Sequence, residues 1–128
     1  MGNIFHFTCR ECDYNTELKL GAGMLSVNTS AVEGLLNEED LSKWNTLKES
    51  ESIDFFSWER KPANCNNCKE YISVVSVKIR TIDGRDIMLG NRCDKCNKNV
   101  DTMELNEHMI CPICNKNTVT LRVKGRWD

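Results

Sequence analysis

The chain has 128 residues, of which 40% are hydrophobic and 28% charged, and its formal net charge is −2. This length allows one domain or two very small ones, because domains run to roughly 100–200 residues. No apolar run approaches the ~20 residues that a membrane helix needs, and residues 1–6 lack the basic and apolar regions of a secretory signal. We therefore expect a soluble cytoplasmic protein.

The first elements along the chain are predicted to be two short strands. Residues 4–8 and 14–20 alternate apolar and polar side chains, which is typical of half-buried strands. A Cys-x-x-Cys turn, Cys9 and Cys12, lies between them. Strand, Cys-x-x-Cys turn and strand together form half of a zinc ribbon, and the glycines of residues 21–23 predict a turn after it.

Residues 28–50 are predicted to be helical. Residues 28–30 can cap a short helix that carries Val32 and Leu35 on one side. Asn37 reads as the N-cap of a second helix, because three acidic residues follow it and suit the first turn. Apolar residues then recur at helical spacing up to Leu47, and residues 50–52 read as the exit.

An aromatic cluster follows the helices, formed by Phe55, Phe56 and Trp58. Such a cluster either fills the core of a small protein or forms an exposed patch for a partner. Both interpretations stay open on the sequence.

The second half of the chain is predicted to be mostly β. Residues 71–80 are rich in β-branched side chains, and Asp83-Gly84 is a hairpin signal that returns the chain through residues 87–89. This hairpin is expected to join two metal sites. A turn of helix is expected within residues 100–107, a final strand over 118–123 and a short tail from 124.

The eight cysteines all fall into four Cys-x-x-Cys pairs, which we call knuckles 1 to 4 in chain order. Two knuckles supply the four sulfurs of a tetrahedral zinc site, and thiolate ligands in that geometry favour zinc. The sequence therefore predicts two Zn²⁺ ions held by eight ligands: Cys9, Cys12, Cys65, Cys68, Cys93, Cys96, Cys111 and Cys114.

The cysteines have three other interpretations. A disulfide framework needs an oxidising compartment, to which nothing visible directs the chain. A thioredoxin-like site needs one reactive motif rather than four. An iron–sulfur cluster also takes four cysteines and remains the main competitor for the metal.

Spacing favours a sequential pairing of the knuckles. Knuckles 3 and 4 are separated by 14 residues, which suits a four-cysteine zinc site. Cys93, Cys96, Cys111 and Cys114 would then form one site, and Cys9, Cys12, Cys65 and Cys68 the other, because short loops close at lower entropic cost. A crossed arrangement of knuckles 1 and 3 stays open.

The position after each knuckle predicts how its turn closes. Asn97 and Asn115 follow knuckles 3 and 4, and asparagine tolerates a left-handed backbone well. Lys69 suits that conformation poorly, and the closure of its turn is not explained by the sequence.

The charge distribution and the two histidines indicate little about the function. Residues 57–128 carry thirteen basic and nine acidic side chains, and the best candidates for a nucleic-acid patch are Arg80, Arg85, Arg92, Lys95 and Lys98. His6 and His108 have no catalytic partner in the sequence and read as surface or packing residues. Four-cysteine sites leave no open metal position, so we expect no enzyme.

The opening of the chain resembles small bacterial zinc-ribbon proteins of unknown function. The similarity covers residues 5–24, where Cys9-Arg10-Glu11-Cys12-Asp13-Tyr14 is followed by Leu20-Gly21-Ala22-Gly23. Asp13 stands where that group has glycine. The resemblance implies a fold and a metal, and no activity.

Together these features predict a small, metal-stabilised α+β fold in one compact unit. Two zinc-ribbon-like β units, residues 1–27 with 57–82 and residues 83–128, are joined by a hairpin, and residues 28–56 form a helical insertion. The expected function is a non-catalytic zinc-binding protein that acts as a protein-interaction module. Nucleic-acid binding by the basic C-terminal half is the alternative, and a thiol redox sensor is a third, less favoured function.

Overall fold

The structure, a computed structural model, describes residues 2–22 and 29–127. In that part of the chain it contains six strands and two helices. In chain order they are β1 (Gly2–Cys9), β2 (Asn15–Gly21), α1 (Thr29–Leu35), α2 (Glu38–Glu49), β3 (Ile53–Cys65), β4 (Glu70–Thr81), β5 (Asp86–Gly90) and β6 (Val119–Trp127). Neither helix is long and apolar enough to cross a membrane.

The six strands form one antiparallel sheet in the order β5-β4-β3-β2-β1-β6. Strand β1 pairs with β2 on one side and with β6 on the other. The pairing with β6 covers the whole of β1, from Gly2 to Cys9. Strands β2 and β3 meet at a single pair, Gly21 and Arg60. The sheet therefore consists of a β2-β1-β6 half and a β3-β4-β5 half. A small α+β fold is confirmed.

Most of the predicted elements are present. The strands predicted over 4–8, 14–20, 71–80 and 118–123 correspond to β1, β2, β4 and β6, and the last continues to Trp127 where a tail was expected. The β4-β5 hairpin turns at Asp83-Gly84, where Gly84 has φ 87°. Asn37 caps α2 by accepting the N–H of Asp40 at 2.9 Å. The cap predicted for the first helix includes Asn28, which lies outside the described residues.

The turn of helix expected within residues 100–107 is wrong. Thr102 instead forms an isolated bridge with Ala63 of β3, and the Met103 N–H donates to the Pro62 carbonyl at 2.8 Å. This segment thus pairs with the part of β3 that follows Arg60, where β3 no longer pairs with β2. The Met103 N–H therefore bonds to β3 and not to a carbonyl within a helical turn.

Two hydrophobic cores lie in the two halves of the sheet. Core 1 contains Phe7, Cys9, Leu18, Leu20, Tyr71, Met109, Cys111 and Val119. Core 2 contains Val32, Trp44, Trp58, Val77, Ile79 and Leu89, so the two helices pack on the β3-β4-β5 half. Val32 and Trp44 are fully buried there.

The aromatic cluster is divided between the core and the surface. Phe56 packs edge-to-face on Trp44, with ring centroids 5.2 Å apart, and Trp58 is buried in core 2. Phe55, in contrast, is 59% exposed. The core interpretation is therefore confirmed for Phe56 and Trp58, whereas Phe55 lies on the surface.

Candidate metal centres

All four knuckles lie at one end of the sheet. Knuckles 1 and 2 begin at Cys9 and Cys65, the last residues of β1 and β3, and knuckle 3 follows β5. These three strands run in the same direction, because every neighbouring pair in the sheet is antiparallel. Knuckle 4 precedes β6, which runs in the opposite direction. The position of each knuckle across the sheet then decides which of them meet.

Site 1 joins knuckles 1 and 4. Its four sulfurs, those of Cys9, Cys12, Cys111 and Cys114, lie within 4.8 Å of one another. The Sγ atoms of Cys9 and Cys114 are 3.7 Å apart, and those of Cys12 and Cys111 are 3.6 Å apart. The pairing of β1 with β6 produces this meeting.

Site 2 joins knuckles 2 and 3, with the sulfurs of Cys65, Cys68, Cys93 and Cys96 also within 4.8 Å of one another. The Sγ atoms of Cys65 and Cys96 are 3.7 Å apart, and those of Cys68 and Cys93 are 3.8 Å apart. The meander β3-β4-β5 brings these two knuckles together.

These distances fit one ion in each site. Four sulfurs about 2.3 Å from a central zinc ion form a tetrahedron with edges of about 3.8 Å. Two of the separations in each site are 3.6–3.8 Å, and all of them are within 4.8 Å. A disulfide would bring two sulfurs to about 2.05 Å, and all eight cysteines are free. Each site can therefore hold one metal ion with four sulfur ligands.

The pairing predicted from spacing is wrong. Cys93 and Cys96 were expected to share a metal with Cys111 and Cys114, and Cys9 and Cys12 to share one with Cys65 and Cys68. Along the sequence, the two knuckles of site 2 lie between the two knuckles of site 1. The crossed arrangement of knuckles 1 and 3 is absent as well. The β4-β5 hairpin consequently joins the two halves of site 2 and does not link the two sites.

Three knuckles close through a residue with a left-handed backbone. Asn97 and Asn115 have φ 58° and 60°, as predicted, and Lys69 has φ 54°. The N–H of each donates to the carbonyl of the first cysteine of its knuckle, at 2.7–2.9 Å. Lys69 thus adopts the same turn as the asparagines. Asp13 is not among the positive-φ residues of the described chain, and knuckle 1 closes with the Cys9 N–H donating to the Tyr14 carbonyl.

Hydrogen bonds lower the pKa of one cysteine in each site. The Thr118 hydroxyl, whose Oγ1 is 3.1 Å from the sulfur, and backbone N–H groups of the turn lower the pKa of Cys9 to about 6. The backbone N–H of Lys98 lowers the pKa of Cys96 to about 7. Thr118 is a residue that sequence reasoning read only as part of a strand.

The second cysteines of knuckles 1 and 2 resist ionisation. Burial and hydrogen bonds to the other sulfurs of site 2 raise the pKa of Cys68 to about 12. The pKa of Cys12 rises to about 12 although the Tyr14 backbone opposes it, because burial and contacts with Cys111 outweigh that effect. A bound cation reverses this preference, since a coordinating thiol is deprotonated outright.

The five basic residues proposed for a nucleic-acid patch are mostly engaged elsewhere. Arg80 pairs with Asp86, Arg85 with Asp83, Arg92 with Asp40 and Lys95 with Glu70, and Lys98 donates to the side chain of Asn67. His6 and His108 belong to neither four-cysteine group.

Two features beside site 2 were not visible in the sequence. A polar cavity of about 440 Å³, lined by four asparagines together with Cys65 and Lys98, opens next to knuckle 2. On the other side, Arg92 forms a buried ion pair with Asp40 of α2 at 3.0 Å. Both depend on contacts between residues about 30 to 50 positions apart, which leave no local pattern.

Comparison of this chain with protein families, with curated proteins and with solved structures finds no match. The assignment of a function therefore depends on the two sites themselves.

Proposed function

We propose that the protein binds two Zn²⁺ ions, one in each four-cysteine site, and that both ions are structural. The observation that carries this proposal is the match between the sulfur separations of 3.6–3.8 Å and the edge of a zinc–thiolate tetrahedron. Soft thiolate ligands in tetrahedral geometry suit Zn²⁺ better than hard cations. With both ions bound, the net charge becomes about −6.

The coordination supports a scaffold without catalytic activity. A catalytic zinc ion keeps one position open for water or substrate, whereas a closed set of four cysteines leaves none. Binding of a structural zinc ion contributes roughly 10 kcal/mol or more toward folding. For a chain with two small cores, the ions then supply a large share of the stability.

We infer that this scaffold serves as a protein-interaction module. Phe55 and Ile82 are 59% and 69% exposed, and they lie at the same end of the β3-β4 pair, where Phe55 is opposite Arg80 and the Ile82 N–H donates to Ser52. Large apolar side chains exposed together are typical of partner surfaces. The pairing of basic residues with acids gives nucleic-acid binding less support, because phosphate contacts need unpaired lysines and arginines in clusters.

Metal analysis of the purified chain tests the central claim. We expect two zinc ions per chain by elemental analysis and by native mass spectrometry. One ion per chain, or iron instead of zinc, would contradict the proposal. Zinc content that stays unchanged under mild peroxide would remove the redox-sensor alternative.

Paired cysteine substitutions test which knuckles share an ion. The double variant Cys12→Ser/Cys114→Ser damages only site 1, so it should retain one zinc ion. The matched variant Cys96→Ser/Cys114→Ser damages both sites and should retain none. The sequential pairing predicts the reverse result for each variant.

An electrophoretic assay with single- and double-stranded DNA and RNA separates the two functional readings. We expect no retention even at low salt. Binding that weakens steeply with salt would instead favour nucleic-acid recognition, since such binding releases counterions.

A further inference from the structure

Two sets of contacts join α2 to knuckle 3 of site 2. Asn37, the N-cap of α2, donates its Nδ2 to Oδ1 of Asn97 at 3.0 Å. Asn97 directly follows Cys96, and its own N–H donates to the Cys93 carbonyl at 2.8 Å. The N-cap of the helix is thus hydrogen-bonded to a residue that the knuckle itself positions.

The second set is a largely buried ion pair. Arg92 directly precedes Cys93, and its Nε lies 3.0 Å from Oδ2 of Asp40. The two side chains are only 16% and 5% exposed. The Gly90 N–H donates to the same carboxylate oxygen at 3.3 Å, and a second guanidinium nitrogen lies 3.3 Å from Glu39. We call these two sets the docking contacts of α2.

The docking contacts depend on a short hairpin, residues 91–99. It is held by the isolated pair Arg92 and Asn99 and by the Cys93 N–H bonded to the Lys98 carbonyl. Its lysines reach β4 and knuckle 2 only through exposed side chains, Lys95 to Glu70 and Lys98 to Asn67. An isolated two-stranded hairpin is marginally stable in water. A metal ion that binds Cys93 and Cys96 to knuckle 2 would therefore hold Arg92 and Asn97 in place.

Site 2 lies beside a polar cavity, whereas site 1 is built into core 1. Cys9 and Cys111 of site 1 belong to core 1, and the Thr118 hydroxyl contacts the Cys9 sulfur. Cys65 and Cys93 are equally buried, at 1% exposure each, but Cys65 lines the polar cavity of about 440 Å³. This cavity gives water and small chelators an approach to site 2.

We propose that site 2 is an exchangeable zinc site whose occupancy docks the helical insertion onto the sheet, so that zinc release uncovers the apolar face of core 2. This inference rests on the proposed function, because it requires zinc in both sites. It makes the protein a zinc-responsive interaction module. Site 1 keeps the β2-β1-β6 half folded, while site 2 controls whether Val32 and Trp44 are covered.

The test is a chelator titration of the zinc-loaded full chain carrying Trp127→Phe. Trp44 and Trp58 then report on core 2 alone, since both belong to it. We expect zinc to leave in two phases separated by about tenfold or more in chelator concentration. The first phase should shift the tryptophan emission to the red, and the second should leave the emission unchanged.

Two variants in that background link the first phase to the docking contacts. Asn97→Gly keeps a residue that tolerates positive φ but removes the acceptor for Asn37, so the first phase and its red shift should begin at a lower chelator concentration. Coupling between two sites is reciprocal, so site 2 should also lose about fivefold in zinc affinity. Asn115→Gly is the matched control, because Asn115 has the same turn and φ in site 1; it should change neither.

The double variant Cys68→Ser/Cys96→Ser identifies the site that empties first. Its single zinc ion should leave in the second phase, with the emission already shifted. Emission that stays constant while the first ion leaves, or release of both ions in one phase, would overturn the inference and leave the proposed function intact. A wild-type zinc content other than two would overturn the proposed function itself.

Discussion

At the scale of single residues, Gly90 shows how closely the backbone approaches itself beside site 2. Its φ is 87°, and a Cβ atom at this position would lie 2.1 Å from the Val75 carbonyl oxygen. The Gly90 N–H also donates to Asp40. Backbone strain and a direct clash with backbone therefore both oppose any side chain here.

We predict that Gly90→Ala lowers the free energy of unfolding by about 2 kcal/mol or more, as the left-handed conformation alone costs roughly 1–2 kcal/mol. Urea denaturation with zinc present measures it. Gly84→Ala isolates the conformational cost, because Gly84 has the same φ but open space around it. Equal losses of stability for Gly84→Ala and Gly90→Ala would contradict the clash.

Gly34→Ala should instead raise the free energy of unfolding by about 0.5–1 kcal/mol, since Gly34 lies within α1 and its Cβ would meet nothing within 4 Å.

Tyr71 connects core 1 to the segment that leads into site 1. Its hydroxyl donates to the Ile110 carbonyl, its N–H donates to the Tyr14 hydroxyl at 2.8 Å, and its ring packs edge-to-face on Phe7. Burial raises the pKa of Tyr71 to about 12, with smaller contributions from the charges of Cys111 and other neighbours.

This shift predicts a loss of stability in alkaline solution. Between pH 10 and 12 the tyrosine ionises in the unfolded chain but not in the folded protein, so the free energy of unfolding falls as the pH rises. At pH 7, Tyr71→Phe should be about 1 kcal/mol less stable than wild type, because the Ile110 carbonyl loses its donor. The difference in free energy of unfolding between wild type and Tyr71→Phe, measured by chemical denaturation, should shrink from pH 10 to 12. A constant difference across that range would contradict the shift.

At the scale of elements, the ion pair between Asp40 and Arg92 fastens α2 to the end of β5. Removing one partner of a buried pair costs about 3–5 kcal/mol, and Asp40→Ala leaves Arg92 with only the exposed Glu39 as an acidic partner. We therefore predict that Asp40→Ala is strongly destabilising in urea denaturation. Asp86→Ala breaks an ion pair with Arg80 whose side chains are 58% and 50% exposed, and it should cost at most about 1 kcal/mol. Similar losses for both variants would show that burial of the pair is unimportant.

Elements with a local signal were predictable from the sequence. The alternation in residues 4–8 and 14–20 and the capping of α2 by Asn37 depend on near neighbours, and the structure confirms them. Strand β3 was not predicted, and its first residues, 53–56, were placed in the helical insertion, where the structure shows strand. Its apolar residues do not alternate regularly, so the sequence carries no strand pattern there. The segment at 100–107 pairs with β3 through Thr102, a contact that propensity does not report.

At the scale of the whole molecule, the eight candidate ligands were predictable but the pairing of the knuckles was not. Loop closure differs by only about 0.5 kcal/mol between the 14 residues that separate knuckles 3 and 4 and the 24 that separate knuckles 2 and 3. Each cross-strand pair contributes roughly 0.2–1 kcal/mol, and β1 and β6 share eight of them. The order of strands therefore outweighs loop length in deciding which cysteines meet.

The two halves of the sheet should respond separately to the loss of site 1. In Cys12→Ser/Cys114→Ser, strand β6 keeps its ladder with β1 and the isolated Met109–Val119 bridge, because it lies at the edge of the sheet. Hydrogen exchange should show that the amides of residues 119–127 lose protection by about a hundredfold or more, as a structural zinc site contributes roughly 10 kcal/mol. The amides of β3 and β4 should stay protected by core 2 and site 2. Equal losses in both halves would mean that the sheet unfolds as one unit.

The nesting of the two sites imposes an order on their assembly during synthesis. Cys9 leaves the ribosome early, but its partner Cys114 follows 105 residues later, which takes roughly 5–20 s at 5–20 residues per second. Cys65 and Cys96 are separated by only 31 residues, so site 2 can be complete while knuckle 1 still waits. The first pair of sulfurs to emerge is therefore the last to be closed, and during that interval it must be kept reduced and free of other metals.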